Sequence, residues 1–171
     1  PSYFGVGWTK VYIEKMCEFY SRLGRTKHYV IRHSNIYGPH DKYDLKNSHV
    51  FGATISKVLN KDSNIVSIWG DGSEERDLLY VSDLVDSVKK IISTKDKNPF
   101  YLFNIGSGTA ISVKDLVCKI VEIAGVKDKK IVYEQSEPTV KTSIALDCSK
   151  AKLILGWQPN VSLAVGIKKT I

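Results

Sequence analysis

The chain is poor in the features that usually announce a catalytic chemistry. Its three cysteines, Cys17, Cys118 and Cys148, form no motif and cannot all pair with one another. A disulfide framework is therefore excluded, and Cys17 and Cys118, both in apolar helical stretches, read as reduced core thiols of a cytoplasmic protein. No His/Cys pair has metal-ligand spacing, so no metal is expected. Neither a GxSxG elbow nor an HExxH pair occurs. No apolar run approaches the ~18 residues of a membrane span, and no signal-peptide pattern opens the chain, so no membrane partner is expected. Pro1-Ser2-Tyr3-Phe4-Gly5 has no initiator Met and leads straight into a helical pattern, which reads as a fragment. The net charge of +7 permits anionic ligands but is spread over scattered lysines, without an arginine-rich arm or aromatics interleaved with basic residues. No nucleic-acid partner is expected.

What is present is an alternation of strands and helices, and so an α/β fold. Lys10 to Leu23 reads as an amphipathic helix with Ile13, Met16, Cys17, Tyr20 and Leu23 on its buried side and Gly24 at its end. The apolar run His28–Ile31 reads as a buried strand. A helix is expected from His49 to Leu59, a strand from Asn64 to Trp69 and another over Leu78–Val81. A helix to about Ile92 follows, capped by Ser82 or Asp83. Phe100–Ile105 and Ile131–Tyr133 complete the strands. Ser112, with Asp115 three residues on, opens a further helix. Ser149–Leu155 is a short helix ended by Gly156, and Ser162 caps the last one.

Four places invite chemistry. The strand at His28–Ile31 breaks into Arg32-His33-Ser34-Asn35-Ile36-Tyr37-Gly38-Pro39, and ligands of open α/β sheets sit at carboxyl ends of strands. This stretch reads as a site wall or as a turn-rich surface loop. Arg76 follows the turn Gly70-Asp71-Gly72-Ser73; its guanidinium suits a phosphate, or a salt bridge to Glu74, Glu75 or Asp77. Asn104-Ile105-Gly106-Ser107-Gly108 resembles an anion-binding loop without being a GxGxxG. His49, at a helix start in a second polar cluster, is part of the same site wall or a capping or surface histidine.

These motifs, with Lys10 and Glu14, Asn47-Ser48-His49-Val50, Trp69-Gly70-Asp71-Gly72, Arg76 through Leu84 and Leu155-Gly156-Trp157-x-Pro159, resemble the nucleotide-sugar epimerase, dehydratase and reductase branch of the extended short-chain dehydrogenases. The resemblance is greatest to the members that epimerise and reduce a GDP-linked keto-deoxy sugar. It implies that residues 1–39 are the final helix and strand of a Rossmann half, and 40–171 mainly a substrate-binding portion with some elements returning to that half. The glycine-rich cofactor fingerprint of the branch is absent here, so the fragment alone is expected to be inactive. The resemblance further implies NADP or NAD as cofactor, a nucleotide sugar as substrate with GDP favoured, and a homodimer built on the Lys10–Leu23 helix.

Roles follow from the same resemblance. Lys10 matches the lysine of the YxxxK pair, which holds the nicotinamide ribose and lowers the tyrosine's pKa. His49 matches the general acid of the epimerisation steps. Lys10, Ser34, Asn35 and His49 fall at cofactor-contacting positions. Asn35, Asn47, Val50, Lys57, Trp69, Arg76 and Lys141 fall at substrate-contacting ones, with Arg76 and Lys57 near the phosphates. The chain departs from the pattern at Val6, which stands where the YxxxK tyrosine is expected. Tyr3, seven residues before Lys10, would substitute only if the helix begins later and Gly5 and Gly7 form a folded-back loop. The alternative is a catalytically silent nucleotide-sugar-binding module or a non-redox isomerase.

Overall fold

In the computed structural model, residues 4–45, 47–135 and 143–171 are described. The elements are α1 (Phe4–Ser21), β1 (His28–His33), β2 (Asn35–Tyr37), α2 (Val50–Leu59), β3 (Ile65–Trp69), β4 (Glu75–Tyr80), α3 (Val81–Ser93), β5 (Phe100–Ile105), β6 (Ala110–Ser112), α4 (Val113–Ala124), β7 (Lys130–Glu134), α5 (Ser149–Leu155) and α6 (Leu163–Thr170). The fold is α/β with parallel pairing throughout its longer strands. β1 runs parallel to β5, β2 to β4, and β3 to β7, while β6 joins β4 antiparallel.

The short polar stretch after β1 is where the strand path divides. His33 closes β1 beside Ile105, and two residues on, Asn35 begins β2 beside Leu78 of β4. The Ser34-Asn35-Ile36-Tyr37 stretch is therefore a strand changing sheets, not a surface loop. β4 also begins earlier than its apolar residues suggest. Its first three residues, Glu75, Arg76 and Asp77, pair with Ser112, Ile111 and Ala110, a partner strand too short and mixed to be read from periodicity.

Two apolar clusters hold these strands. One gathers Tyr37, Phe51, Val58, Val66, Ile68, Leu116, Ile120 and Ile167 between α2, β3, α4 and α6. The other gathers Leu79, Phe103, Ile105, Ala151 and Trp157 under β1 and β5. Trp157 is fully buried, and its indole N–H donates to the Asp83 carbonyl at 3.0 Å. The Asp83 carboxylate accepts the backbone N–H groups of Asn160 (3.2 Å) and Val161 (3.0 Å). Asp83 thus anchors the Gly156-Trp157-x-Pro159 segment instead of capping α3. That helix starts at Val81, after Tyr80, with no side-chain cap. Gly166 sits against the Tyr37 phenol, where a Cβ would come within 2.1 Å of Oη. α6 lies this close to Tyr37 only because residue 166 has no side chain.

The expected caps of the later helices are present. Ser112 Oγ accepts the Asp115 N–H at 3.0 Å, Gly156 adopts the left-handed C-cap, and Ser162 Oγ accepts the Val165 N–H. Two readings of burial are corrected. Cys118 is exposed, because the buried stripe of α4 runs through Val113, Leu116, Val117 and Ile120. On α1 only Met16 and Cys17 of the expected face are half-buried, whereas Ile13, Tyr20 and Leu23 lie exposed.

Candidate functional site

A cavity of about 300 Å³ lies between α2, β3, the start of β4 and α4. Its first wall is a single helical stripe. Val50, Ala53, Thr54 and Lys57 recur at the three- and four-residue spacing that puts side chains on one face of α2. The second wall comes from β3 and the turn after it, with Ser67, Ile68 and Trp69, then Glu74 and Arg76. Val113 and Val117, one turn apart on α4, form the apolar floor, and Leu45 and Ser48 close one side.

Lys42 lies against the amino-terminal part of α2 because Gly52 has no side chain. A Cβ on Gly52 would stand 2.3 Å from the Lys42 carbonyl. The Tyr43 hydroxyl donates to the Gly38 carbonyl at 3.1 Å, and Ser56 Oγ donates to the Tyr43 carbonyl. Lys57 Nζ donates to both Ser67 O (2.8 Å) and Ser67 Oγ (3.0 Å). An ammonium carries three N–H bonds, so one is left for a ligand. Arg76 donates from one terminal nitrogen to the Glu75 carbonyl at 2.8 Å.

Val50, Lys57, Trp69 and Arg76, taken from three separate elements, are thus brought to one cavity. Asn35 is outside its lining but tied to it: Asn35 Nδ2 donates to the carbonyl of Asp77, the residue after Arg76, at 3.1 Å. His49 is the N-cap position of α2, between two lining residues, with an exposed side chain that makes no cap hydrogen bond. Asn47 does not enter the cavity lining; both its backbone N–H and Nδ2 bond to the Asp44 carboxylate. Tyr3 and Lys141 lie outside the described residues.

α1 is docked on β1 by Arg32, whose Nε and Nη2 bond the two oxygens of Glu14 at 2.7 and 2.6 Å. The hydrogen bond from that guanidinium, above all, holds the Glu14 carboxyl below the ordinary glutamate range. Lys10 stands one turn before Glu14 and is exposed. At the end of β1, Ser34 Oγ is buried without a hydrogen-bond partner. By residue type, an exposed lysine and an orphaned hydroxyl are groups that a nicotinamide ribose could take up. Val6 does not fit its proton chemistry. α1 is continuous from Phe4, so no loop forms at Gly5 and Gly7, and Val6 lies one helical turn before Lys10.

The Gly106-Ser107-Gly108 loop does hold an anion, but the anion belongs to the protein. Asp77 Oδ1 accepts the Ser107 N–H and hydroxyl at 2.7 Å each, while Oδ2 accepts Leu146 N–H at 2.9 Å and Gly108 N–H at 3.3 Å. A Cβ on Gly106 would stand 2.6 Å from the same carboxylate. The expectation of a ligand-binding loop is therefore corrected, since its donors are spent. Sequence reading gave no site role to Glu74, named only as a salt-bridge partner for Arg76, or to Ser48; their Oε2 and Oγ are buried in the cavity wall with no hydrogen-bond partner.

Residues 7–106 match the model of the NAD dependent epimerase/dehydratase family. The chain belongs to that family. A GDP-L-fucose synthase of Sinorhizobium fredii is 35% identical over 162 residues, covering 91% of this chain and 49% of that protein. A GDP-L-colitose synthase of Yersinia pseudotuberculosis is 31% identical over 170 residues, covering 97% and 54%. The crystal structure of a Thermotoga maritima UDP-glucose 4-epimerase with UDP-glucose superposes with a TM-score of 0.76 at 34% identity, covering 95% of this chain and 49% of that one. The chain spans about half the length of the curated relatives it matches. Among the described residues no helix is long and apolar enough to cross a membrane.

Proposed function

We propose that the whole protein is an NAD(P)-dependent nucleotide-sugar epimerase-reductase acting on a GDP-linked keto-deoxy sugar, and that this chain carries most of its substrate-binding portion. The observation that carries the reading is the cavity in which Lys57, Trp69 and Arg76 converge from α2, β3 and β4. A guanidinium and an ammonium in one recess suit a diphosphate. An indole at the rim suits the face of a nucleobase. The names of the fucose and colitose synthases that resemble the chain favour GDP over UDP.

In this reading Arg76 and Lys57 hold the diphosphate, and Lys141 approaches the nucleotide. Asn35, fixed by Asp77, orients the sugar. Asn47 bonds it only by letting go of Asp44. Lys10 and Ser34 hold the ribose of the nicotinamide, which supplies hydride exchange with the sugar carbonyl. His49 moves protons at the carbons beside that carbonyl, its exposed ring unspent on helix capping. Residues 1–39 close a Rossmann half, and β5 returns to it by pairing with β1. The protein works as a cytoplasmic homodimer, with α1, whose Phe4, Trp8 and Tyr12 are exposed, in the subunit contact.

The test is turnover of a GDP-linked 4-keto-6-deoxy sugar by the whole protein, followed as loss of NADPH absorbance. Turnover abolished by Lys10→Met or His49→Ala supports the reading. A second reading rests on Val6, which has no proton to give from the YxxxK position. A binding module or non-redox isomerase would bind GDP-sugar through Arg76 and oxidise no NADPH.

A further inference from the structure

We infer that Glu74 selects the nucleobase, accepting two N–H donors from the edge of a guanine seated in the cavity. The inference rests on the nucleotide-sugar reading of that cavity. Glu74 is only 7% exposed, it lines the cavity, and its Oε2 has no hydrogen-bond partner. Ser48 Oγ is in the same condition on the same cavity. A buried carboxylate oxygen without a donor is costly. A recess built only to attract phosphates would gain nothing from a negative charge beside Lys57 and Arg76. The carboxylate makes sense if the ligand brings donors of its own.

The parts of a nucleotide sugar differ in what they offer. The diphosphate has acceptors only. Uracil and thymine present one N–H between two carbonyls, whose lone pairs face a carboxylate unfavourably. Adenine sets its amino group beside an acceptor nitrogen. Guanine presents N1–H and the 2-amino group side by side, matching the two oxygens of an ionised Glu, which is acceptor-only. The placement agrees: Glu74 and Arg76, two apart on an extended segment, share a face, and Trp69, half exposed across the Gly70–Ser73 turn, flanks them. A cavity of about 300 Å³ is at the small end for ligand sites and suits the nucleotide part rather than the whole nucleotide sugar.

The experiment is calorimetric titration of the whole protein, wild type, Glu74→Gln and Glu74→Ala, with GDP, IDP, UDP, 2′-deoxy-GDP and inorganic pyrophosphate. IDP lacks only the 2-amino group. Wild type is expected to favour GDP over IDP by about tenfold or more and over UDP by about a hundredfold, because a site built to bond a donor rejects the analogue lacking it. Both variants should bring GDP and IDP to within about threefold without weakening pyrophosphate binding at Lys57 and Arg76, which also reports that they are folded. An unchanged GDP-to-IDP ratio in both variants overturns the assignment and leaves the proposed function standing. A penalty for 2′-deoxy-GDP that vanishes in the variants, with no loss of base preference, assigns Glu74 to the ribose and overturns it too. Wild type that binds no nucleotide overturns this assignment and the proposed function together.

Discussion

Asp77 Oδ1 lies 2.7 Å from both the backbone nitrogen and the hydroxyl of Ser107, so one carboxylate oxygen closes a loop that looks, in the sequence, like a cradle for a foreign anion. Hydrogen bonds to a charged group contribute about 1.5–3 kcal/mol. Asp77→Asn, which leaves one acceptor and turns an amide toward N–H donors, is expected to cost about 2–3 kcal/mol. At roughly 2–4 °C per kcal/mol for a protein of this size, the melting temperature should fall by about 4–12 °C. Ser107→Ala should cost less and leave nucleotide affinity unchanged. Loss of nucleotide binding in Ser107→Ala would return the loop to the site.

Arg76→Ala should weaken GDP binding by about 10- to 100-fold, the usual penalty for losing a charge-assisted pair to a phosphate. Any fall in melting temperature reports the loss of Arg76's own contacts on β4, its bond to the Glu75 carbonyl among them. Isothermal titration beside a thermal melt separates the two effects, and equal affinity in the variant removes Arg76 from the diphosphate site.

Val6 is exposed and one helical turn from Lys10, so a phenol there would stand in the family's spacing without repacking a core. Val6→Tyr is expected to raise NADPH-dependent turnover of the keto-sugar by about 10²-fold, within the range that a positioned proton donor supplies. A rate unchanged by the substitution means that the proton already comes from elsewhere.

Trp157 should be the costliest single truncation. Trp157→Ala removes a fully buried indole and its bond to the Asp83 carbonyl, for about 3–5 kcal/mol. A loss of unfolding free energy below about 1 kcal/mol in denaturant titration would show that the Gly156–Pro159 segment is not the anchor described.

The Glu14–Arg32 pair carries a pH signature. Its folded carboxyl titrates below the ordinary range, so its stabilisation is complete above the unfolded glutamate value of about 4.3. It disappears as pH falls through the lowered folded value. Glu14→Gln should therefore melt slightly lower than wild type at pH 7 and level with it near pH 2–3. Because Arg32 is half exposed, the difference should stay under about 1 kcal/mol.

Much of the architecture could be read from local chemistry. Ser112 with Asp115, Gly156 and Ser162 mark helix ends because capping involves residues only a turn apart. What escaped reading depends on partners far along the chain. Arg76 belongs to a strand only because Ile111 lies opposite, and Asp83 looks like a helix cap until Asn160 and Val161 present their N–H groups. The Gly106–Gly108 loop reads as vacant unless Asp77 is known to sit beside it. The cavity's basic residues were legible through the motifs around them, whereas the unpartnered state of Glu74 and Ser48 is a property of packing alone.

The pairing of β1, β2 and β3 also bears on how the molecule comes into being. His28 meets Phe100, Asn35 meets Leu78 and Ile65 meets Lys130, so each early strand waits for a partner dozens of residues downstream. Closing such long loops precedes any return from hydrogen bonding, and topologies dominated by distant contacts assemble slowly. During synthesis the Val66 and Ile68 edge stays open until Ile131 and Tyr133 leave the ribosome. Over that interval the nascent chain carries an unpaired apolar strand edge, the kind of surface through which chains associate.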